Sequence, residues 1–362
     1  MLALRALAPE RVRITLVSDS PSFAYKPAAT MESFFETPPL AYDLQAIATD
    51  VGASFRRDRV EAVAAEAHSA RLASFAHLHY DALVLAVGAR AASAIPGALT
   101  FRDQHETHHI RHLMSELRSG TLRRIIFAVP SGCSWPLPLY ELALLTATRL
   151  GELDVSGEVM LVSHETTPLC VFGAEASPLV ANLLAERGVR FIGGSDPQSV
   201  DRSGALALAS GETLDADRVV AAPKLGGPKI AGLPADRRGF ITTDALGSVI
   251  GLPDVYAVGD MTSFPIKQGG LAAQQADVIA QRLAFDQGAT VAQPRARRVL
   301  RARLVGGANP IFLRTELDEF GQATAATTLH GHFNDSESNT PPEKVFGRYL
   351  SPYLRARAPQ VA

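Results

Sequence analysis

Residues 253–260 read Pro253-Asp254-Val255-Tyr256-Ala257-Val258-Gly259-Asp260, and residues 264–270 read Phe264-Pro265-Ile266-Lys267-Gln268-Gly269-Gly270. Val255 to Val258 are apolar and partly β-branched, the pattern of a short strand buried on both faces. Gly259 and Asp260 end that strand with a small residue and a carboxylate. In an α/β fold the carboxyl end of a strand faces the crevice where ligands bind. The glycines that follow let backbone approach a flat ligand closely. Ala272, Ala273, Gln274, Gln275 and Ala276 then open a helix whose N-terminus favours partial negative charge. A carboxylate that accepts from sugar hydroxyls, beside a helix end that stabilises an anionic ring, suits a flavin dinucleotide.

The chain of 362 residues is long enough for two or three domains with sizeable cores. Its 47% apolar and 20% charged residues are ordinary for a globular protein. A net charge of −2 gives no global field for nucleic acid or an anionic membrane. The one basic run, Arg295 to Arg303, reads as a solvated linker and strand face. Only Cys133 and Cys170 occur, without a CxxC pair. That fits a reducing, cytoplasmic compartment and excludes an adjacent-cysteine dithiol. No apolar run approaches the roughly 20 residues of a transmembrane helix. Met1 to Leu7 is too short for the apolar region of a signal peptide.

The order of strand, Gly-Asp, Lys-Gln-Gly-Gly and alanine-rich helix resembles the second FAD motif of flavoproteins with two dinucleotide-binding domains, the FAD-dependent pyridine nucleotide-disulfide oxidoreductase-like proteins. Within them it is most similar to the sulfide:quinone reductase and type II NADH dehydrogenase branch. The resemblance implies an α/β fold of two Rossmann-like domains, the second inserted into the first, with a small α+β C-terminal domain. It divides the chain into an FAD-binding domain at 1–102 and 240–290, a second Rossmann-like domain at 103–239, and an interface domain at 291–362. It implies that FAD meets Gly259, Asp260, Lys267, Gln268, Gly269 and Ala272, with Asp260 on the ribityl and pyrophosphate portion. Lys267 and Gln268 would then stand near the flavin edge or a quinone, as candidate catalytic residues.

The N-terminal side of that domain departs from the family. Arg13 to Val17 alternates into a strand that reads as the second half of a βαβ unit. A whole unit takes roughly 30 residues, so the first strand and its glycine loop are expected to be absent. No GxGxxG occurs there. Either the start was assigned inside the gene or the chain lacks the loop. Ser18 and Asp19 fall where the family places its ribose-binding residue. Lys26, in Phe23-Ala24-Tyr25-Lys26-Pro27, either meets a flavin or quinone carbonyl or is a plain surface lysine. Val60 lies on a strand whose backbone would contact adenine. Tyr80 to Ala89 is a buried strand matching the family's strand that ends in Ala-Thr-Gly, which places Ala86 and Gly88 against the dinucleotide.

Leu122 to Val129 opens a second α/β unit, but the turn after it carries Cys133, Trp135 and Pro130, Pro136 and Pro138 instead of a glycine loop. Proline lacks the N–H that phosphate binding needs, so use of NAD(P)H is doubtful. Cys133 is a candidate redox thiol near a helix N-terminus, where the dipole lowers a thiol pKa; the plain alternative is a small core cysteine. Cys170 does not match the family's other redox cysteine. His105, His108, His109 and His112 share a helix at i, i+3, i+4 and i+7 and read as a solvated face rather than a metal site. His330 and His332 read likewise as alternating strand positions, and Asn334 to Pro342 as a polar loop. The expected protein is an FAD-dependent oxidoreductase with a small-molecule electron donor and an acceptor such as a quinone. Relatives of this kind imply peripheral membrane contact or a homodimer through the C-terminal domain. The rival expectation is a non-catalytic relic kept as a binding module.

Overall fold

Five parallel strands form the largest sheet of the computed structural model, which describes residues 1–35, 40–307, 310–324, 328–330, 345 and 347–357. The chain reaches that sheet after a first unit. A short helix, α1 (Leu2–Leu7), leads into β1 (Thr15–Ser18), which pairs in parallel with β2 (Ser54–Arg57). A four-residue helix, α2 (Ala29–Glu32), lies between them. An antiparallel meander of β3 (Val60–Ala64), β4 (Ser69–Leu72) and β5 (His77–His79) follows, then β6 (Leu83–Leu85).

The second unit contains the five-stranded sheet. Its strands are β7 (Leu99–Thr100), β8 (Arg124–Val129), β9 (Glu158–Ser163), β10 (Val189–Ile192) and β11 (Arg218–Ala221), in the order β7-β11-β8-β9-β10. Ile125 to Val129 are all buried: Ile125, Phe127 and Val129 pack against the helices, and Ile126 and Ala128 pack on the opposite face against Leu206 and Leu208. The helices are α3 (Thr107–Arg118), α4 (Leu137–Glu152) and α5 (Ala176–Glu186). Pro138 sits in the first turn of α4, where its missing N–H leaves no intrahelical bond unmade. β7 belongs to this sheet, although it precedes the expected boundary at residue 102.

The chain then returns. β12 (Val255–Ala257) pairs in parallel with β6, Val255 opposite Leu83 and Ala257 opposite Leu85. β12 thus pairs with a strand that precedes the five-stranded sheet in the chain. The first unit's parallel strands stand as two separate pairs, β1·β2 and β6·β12, with no ladder joining them among the described residues. The helix after the Gly-Asp tract is α6 (Gly269–Asp286), and α1 packs on it. Three antiparallel strands close the fold: β13 (Val299–Leu304), β14 (Ile311–Glu316) and β15 (Thr328–His330), before α7 (Leu350–Arg357). Leu300, Leu304 and Leu313 of this sheet share one apolar cluster with Leu142 of α4, Leu161 of β9 and Leu271 of α6. The C-terminal sheet thus packs on both α/β units. His332 and the polar loop expected at Asn334 to Pro342 lie outside the described residues.

Candidate functional site

At the carboxyl end of β12 the backbone turns sharply. Gly259 has φ 76°, in the left-handed region that glycine occupies without strain, and Gly88 after β6 has φ 72°. The Gly259 N–H donates to Gln275 Oε1 of α6 at 2.7 Å. Thr262 closes the turn, its N–H and Oγ1 both donating to the Gly259 carbonyl at 3.0 and 2.9 Å. Asp260 is therefore not needed to hold this turn. Its carboxylate accepts no hydrogen bond among the described residues, although burial raises its pKa above the usual carboxylate range, opposed by Lys267 and Lys26. A half-buried carboxylate without donors, at the carboxyl end of a parallel strand, fits the hydroxyls of a sugar–phosphate ligand.

Lys267 is 7% exposed. Its ammonium donates to the Thr262 carbonyl and lies 4.0 Å from the centroid of the Phe240 ring. Burial pulls its pKa down to about 8, with Asp260 acting in the opposite sense. Gln268 caps α6: its Oε1 accepts the Leu271 N–H at 2.8 Å, and its Nε2 donates to the Arg301 carbonyl of β13 at 3.1 Å. Gly269 and Ala272 fall in the first turn of α6. Gln274 ties the same helix to β13, exchanging two hydrogen bonds with Val299 at 2.8 and 2.9 Å.

The remaining expected residues divide into those near this turn and those elsewhere. Val60 packs in the cluster that holds Leu85, Val255 and Ala257, which brings β3 beside the β6·β12 pair; Ala86 and Gly88 follow β6 directly. Ser18 and Asp19 stand at the carboxyl end of the other pair, where Ser18 Oγ accepts the Ser20 N–H at 3.2 Å. Lys26 forms an exposed ion pair with Asp103 at 3.3 Å. On α3, His108 stacks near His109 and His112 lies 3.7 Å from Glu116, and the described residues contain no group of three or more side chains that could hold a metal ion.

Cys133 differs from the expectation of an activated thiol. Burial, the largest influence, pushes its pKa up to about 12, and the helix end at Leu137 does not offset it. A cavity of about 460 Å³ brings Cys133 together with Cys170, which sequence reasoning kept apart. Two further residues were missed. The Asp196 carboxylate accepts from the Ser131 N–H at 2.7 Å, Ser131 Oγ at 2.8 Å and Gln198 Nε2 at 3.0 Å. It thereby occupies the donors of the turn after β8, where a dinucleotide phosphate would otherwise dock. Glu165, after β9, is 5% exposed and accepts from Tyr140 Oη at 2.7 Å. Neither residue lies in a local pattern that marks it; both depend on partners far along the chain.

Two α/β units, an open carboxylate at the first and a closed turn at the second, define a protein with two Rossmann-like domains. The pyridine nucleotide-disulphide oxidoreductase pattern matches residues 2–277, and the chain belongs to that family, one of FAD-dependent oxidoreductases. An NADH dehydrogenase-like protein of Mycobacterium tuberculosis is 28% identical over 220 residues, covering 56% of this chain and 54% of that protein. The chain spans about half the length of the curated relatives it matches. The solved sulfide:quinone oxidoreductase of Aquifex aeolicus superposes with a TM-score of 0.80 at 19% identity, over 91% of this chain and 83% of its own. NDH2 of Plasmodium falciparum does so at 0.59 and 16%, over 72% of this chain and 62% of its own. A ferredoxin reductase of Rhodopseudomonas palustris does so at 0.68 and 20%, over 87% and 78%. At such identities these structures share the fold.

Proposed function

We propose that the protein is an FAD-dependent oxidoreductase that moves electrons from a donor other than NAD(P)H to an acceptor such as a quinone. The observation that carries this reading is Asp260: a half-buried carboxylate with no donor among the described residues, between glycines in the left-handed region and the start of α6. FAD supplies the redox chemistry when bound. Asp260 would accept from its sugar hydroxyls, and Gly88 and Gly259 would let backbone lie against it. Lys267 and Gln268 would stand at the flavin edge, with the Lys267 charge favouring electron density there.

The second unit supports a donor other than a nicotinamide. Asp196 sets a carboxylate among the donors of the turn after β8, and a second anion there meets like-charge repulsion. The branch relatives support a quinone-type acceptor and peripheral membrane contact. No helix of the described residues is long and apolar enough to cross a membrane. The C-terminal unit would then serve as the surface for a membrane or a second copy of the chain. One observation favours the alternative of a fold kept for binding alone: the parallel strands of the first unit are not joined in one sheet. Titrating the protein with FAD separates the two. Saturable binding with a structured flavin spectrum supports the oxidoreductase, and its absence supports the binding module.

A further inference from the structure

The cavity that holds Cys133 and Cys170 lies at the carboxyl ends of β8 and β9, where open α/β sheets bind ligands. Its wall continues through Pro265 and Ile266, the residues just before Lys267, and the Lys267 N–H donates to the Ser134 carbonyl at 3.3 Å. The cavity therefore joins the second unit to the flavin tract. Anions have little to hold them here. No lysine or arginine lines the space, and the nearby turn is already filled by Asp196.

What the cavity does offer is neutral donors between apolar walls. Glu165 shows this most clearly. Both of its hydroxyl partners reach one oxygen: Tyr140 Oη donates to Oε2 at 2.7 Å and Ser163 Oγ donates to it at 3.2 Å. Tyr140 Oη itself accepts the Leu169 N–H, and Ser163 Oγ accepts the Glu165 N–H, so both hydroxyl protons are directed at Oε2. Oε1 is left with the Cys170 thiol at 3.6 Å. A proton on this carboxyl therefore resides on Oε1, the oxygen left free of hydroxyl donors.

We infer that this cavity binds an uncharged ring bearing carbonyl oxygens, and that Glu165 holds the ring by donating the Oε1 proton to one of them. Burial raises the Glu165 pKa above the usual carboxylate range, so the protonated form persists to higher pH than in an exposed glutamate. Both thiols are also held protonated, Cys133 pushed up to about 12 by burial and the more exposed Cys170 up to about 11 by partial desolvation and the neighbouring Glu165. Val171 and Ile266 provide the apolar walls. The biological meaning of the site, reduction of a quinone-type acceptor, rests on the function proposed above. The binding itself does not, and is measurable without flavin.

Trp135 is the sole tryptophan and stands between Ser134 and Pro136, both in the cavity wall, with its ring 6.1 Å from that of Phe172. Its fluorescence should report occupancy. Duroquinone is a suitable probe, because its four methyl groups leave no ring position for thiol addition. The full chain, without flavin, is titrated with duroquinone from the ordinary carboxylate range up to pH 9, correcting for absorption. We expect saturable quenching that weakens as the pH rises through the Glu165 transition. The other titratable groups facing that carboxyl are Tyr140, Cys170, His164 and Cys133. Glu165→Gln, which keeps an N–H donor at every pH, should bind with a flat pH profile. Glu165→Ala should bind about tenfold more weakly. Val171→Phe, which fills the space, should abolish saturation while its circular dichroism melt remains cooperative. Non-saturable quenching, or quenching unchanged in both Glu165→Ala and Val171→Phe, would overturn the inference. So would saturation by dithiothreitol or hydrosulfide but not by duroquinone, which would assign the cavity to a thiol donor.

Discussion

Replacing Asp260 by alanine removes a carboxylate that accepts no hydrogen bond among the described residues and whose charge is opposed by Lys267 and Lys26. Two opposite effects follow. In the protein without flavin, the raised carboxyl pKa means the folded state resists ionisation of Asp260. For an acid with a raised folded pKa, the native state binds more protons than the unfolded state, so stability falls as pH rises from the unfolded value through the folded one. Above that window the penalty is complete, and removing the carboxylate should raise the melting temperature at pH 7. With FAD the sign reverses. Hydrogen bonds from ribityl hydroxyls to a carboxylate contribute roughly 1.5–3 kcal/mol each. Asp260→Ala should therefore weaken FAD binding on the order of tenfold to a hundredfold. Fluorescence titration with FAD, together with melting of the same samples, reads both effects. The bland alternative, that Asp260 only holds its turn, predicts lower stability and unchanged affinity. The structure argues against it, since Thr262 makes both turn bonds to Gly259. A variant that melts lower and binds FAD as tightly as the parent would refute the reasoning.

Further outcomes follow from other residues. NADH and NADPH should reduce the flavin-loaded protein slowly, because Asp196 holds the donors of the turn after β8; rapid anaerobic bleaching at micromolar NADH would contradict this. Lys267, whose pKa is lowered to about 8, is mostly neutral in the native state above that pH but charged in the unfolded chain up to about 10.5. The native state then binds fewer protons, so parent stability relative to Lys267→Met should rise with pH across that window, by a few kcal/mol at most. Glu141 joins the three units: Thr30 Oγ1 of α2 donates to its Oε2 at 2.8 Å, and the Val305 N–H after β13 donates to its Oε1 at 3.2 Å. Glu141→Ala removes both of these buried hydrogen bonds and should lower unfolding free energy by about 2–5 kcal/mol in urea melts. Iodoacetamide should label Cys133 at pH 8 at least about a hundredfold more slowly than free cysteine, because its thiolate is scarce at a pKa near 12.

The strands and helices of this fold were legible where apolar runs stood alone. Ile125 to Val129 and Val255 to Val258 have no polar interruption, and both are buried. The Gly259-Asp260 turn was legible because a small residue and a carboxylate ended such a run. For Cys133 the sequence left a redox thiol and a core cysteine both open, because its flanking prolines and tryptophan could not show the thiol's surroundings; the raised thiol pKa favours the second. Asp196 and Ser131 lie 65 residues apart, so no local pattern joins them. Glu165 sits among His164, Thr166 and Thr167, a polar run that reads as surface. Only the fold sets Tyr140 against its carboxyl. Lys267 was picked out by its tandem with Gln268, but its partner ring, Phe240, belongs to the segment that re-enters the first unit.

Asp260 and Asp196 occupy comparable places, each by the carboxyl end of a parallel strand pair, yet they are satisfied in opposite ways. Asp196 accepts from three protein donors, so it acts as an internal substitute for an anionic ligand. Asp260 accepts from none among the described residues, so its burial is compensated only when a ligand brings hydroxyl donors. The same difference extends to the surroundings. Around Asp260 are glycines in the left-handed region and a buried ammonium, which suit a large ligand with negative charge. Beside Asp196 the neighbouring cavity presents a carboxyl whose pKa burial raises and two thiols whose pKa values are raised as well. On the function proposed above, a chain built on two dinucleotide folds uses one of them as a dinucleotide site. On the proposed reading, its second unit takes part in electron transfer by holding an uncharged partner against the flavin tract at Pro265 and Ile266.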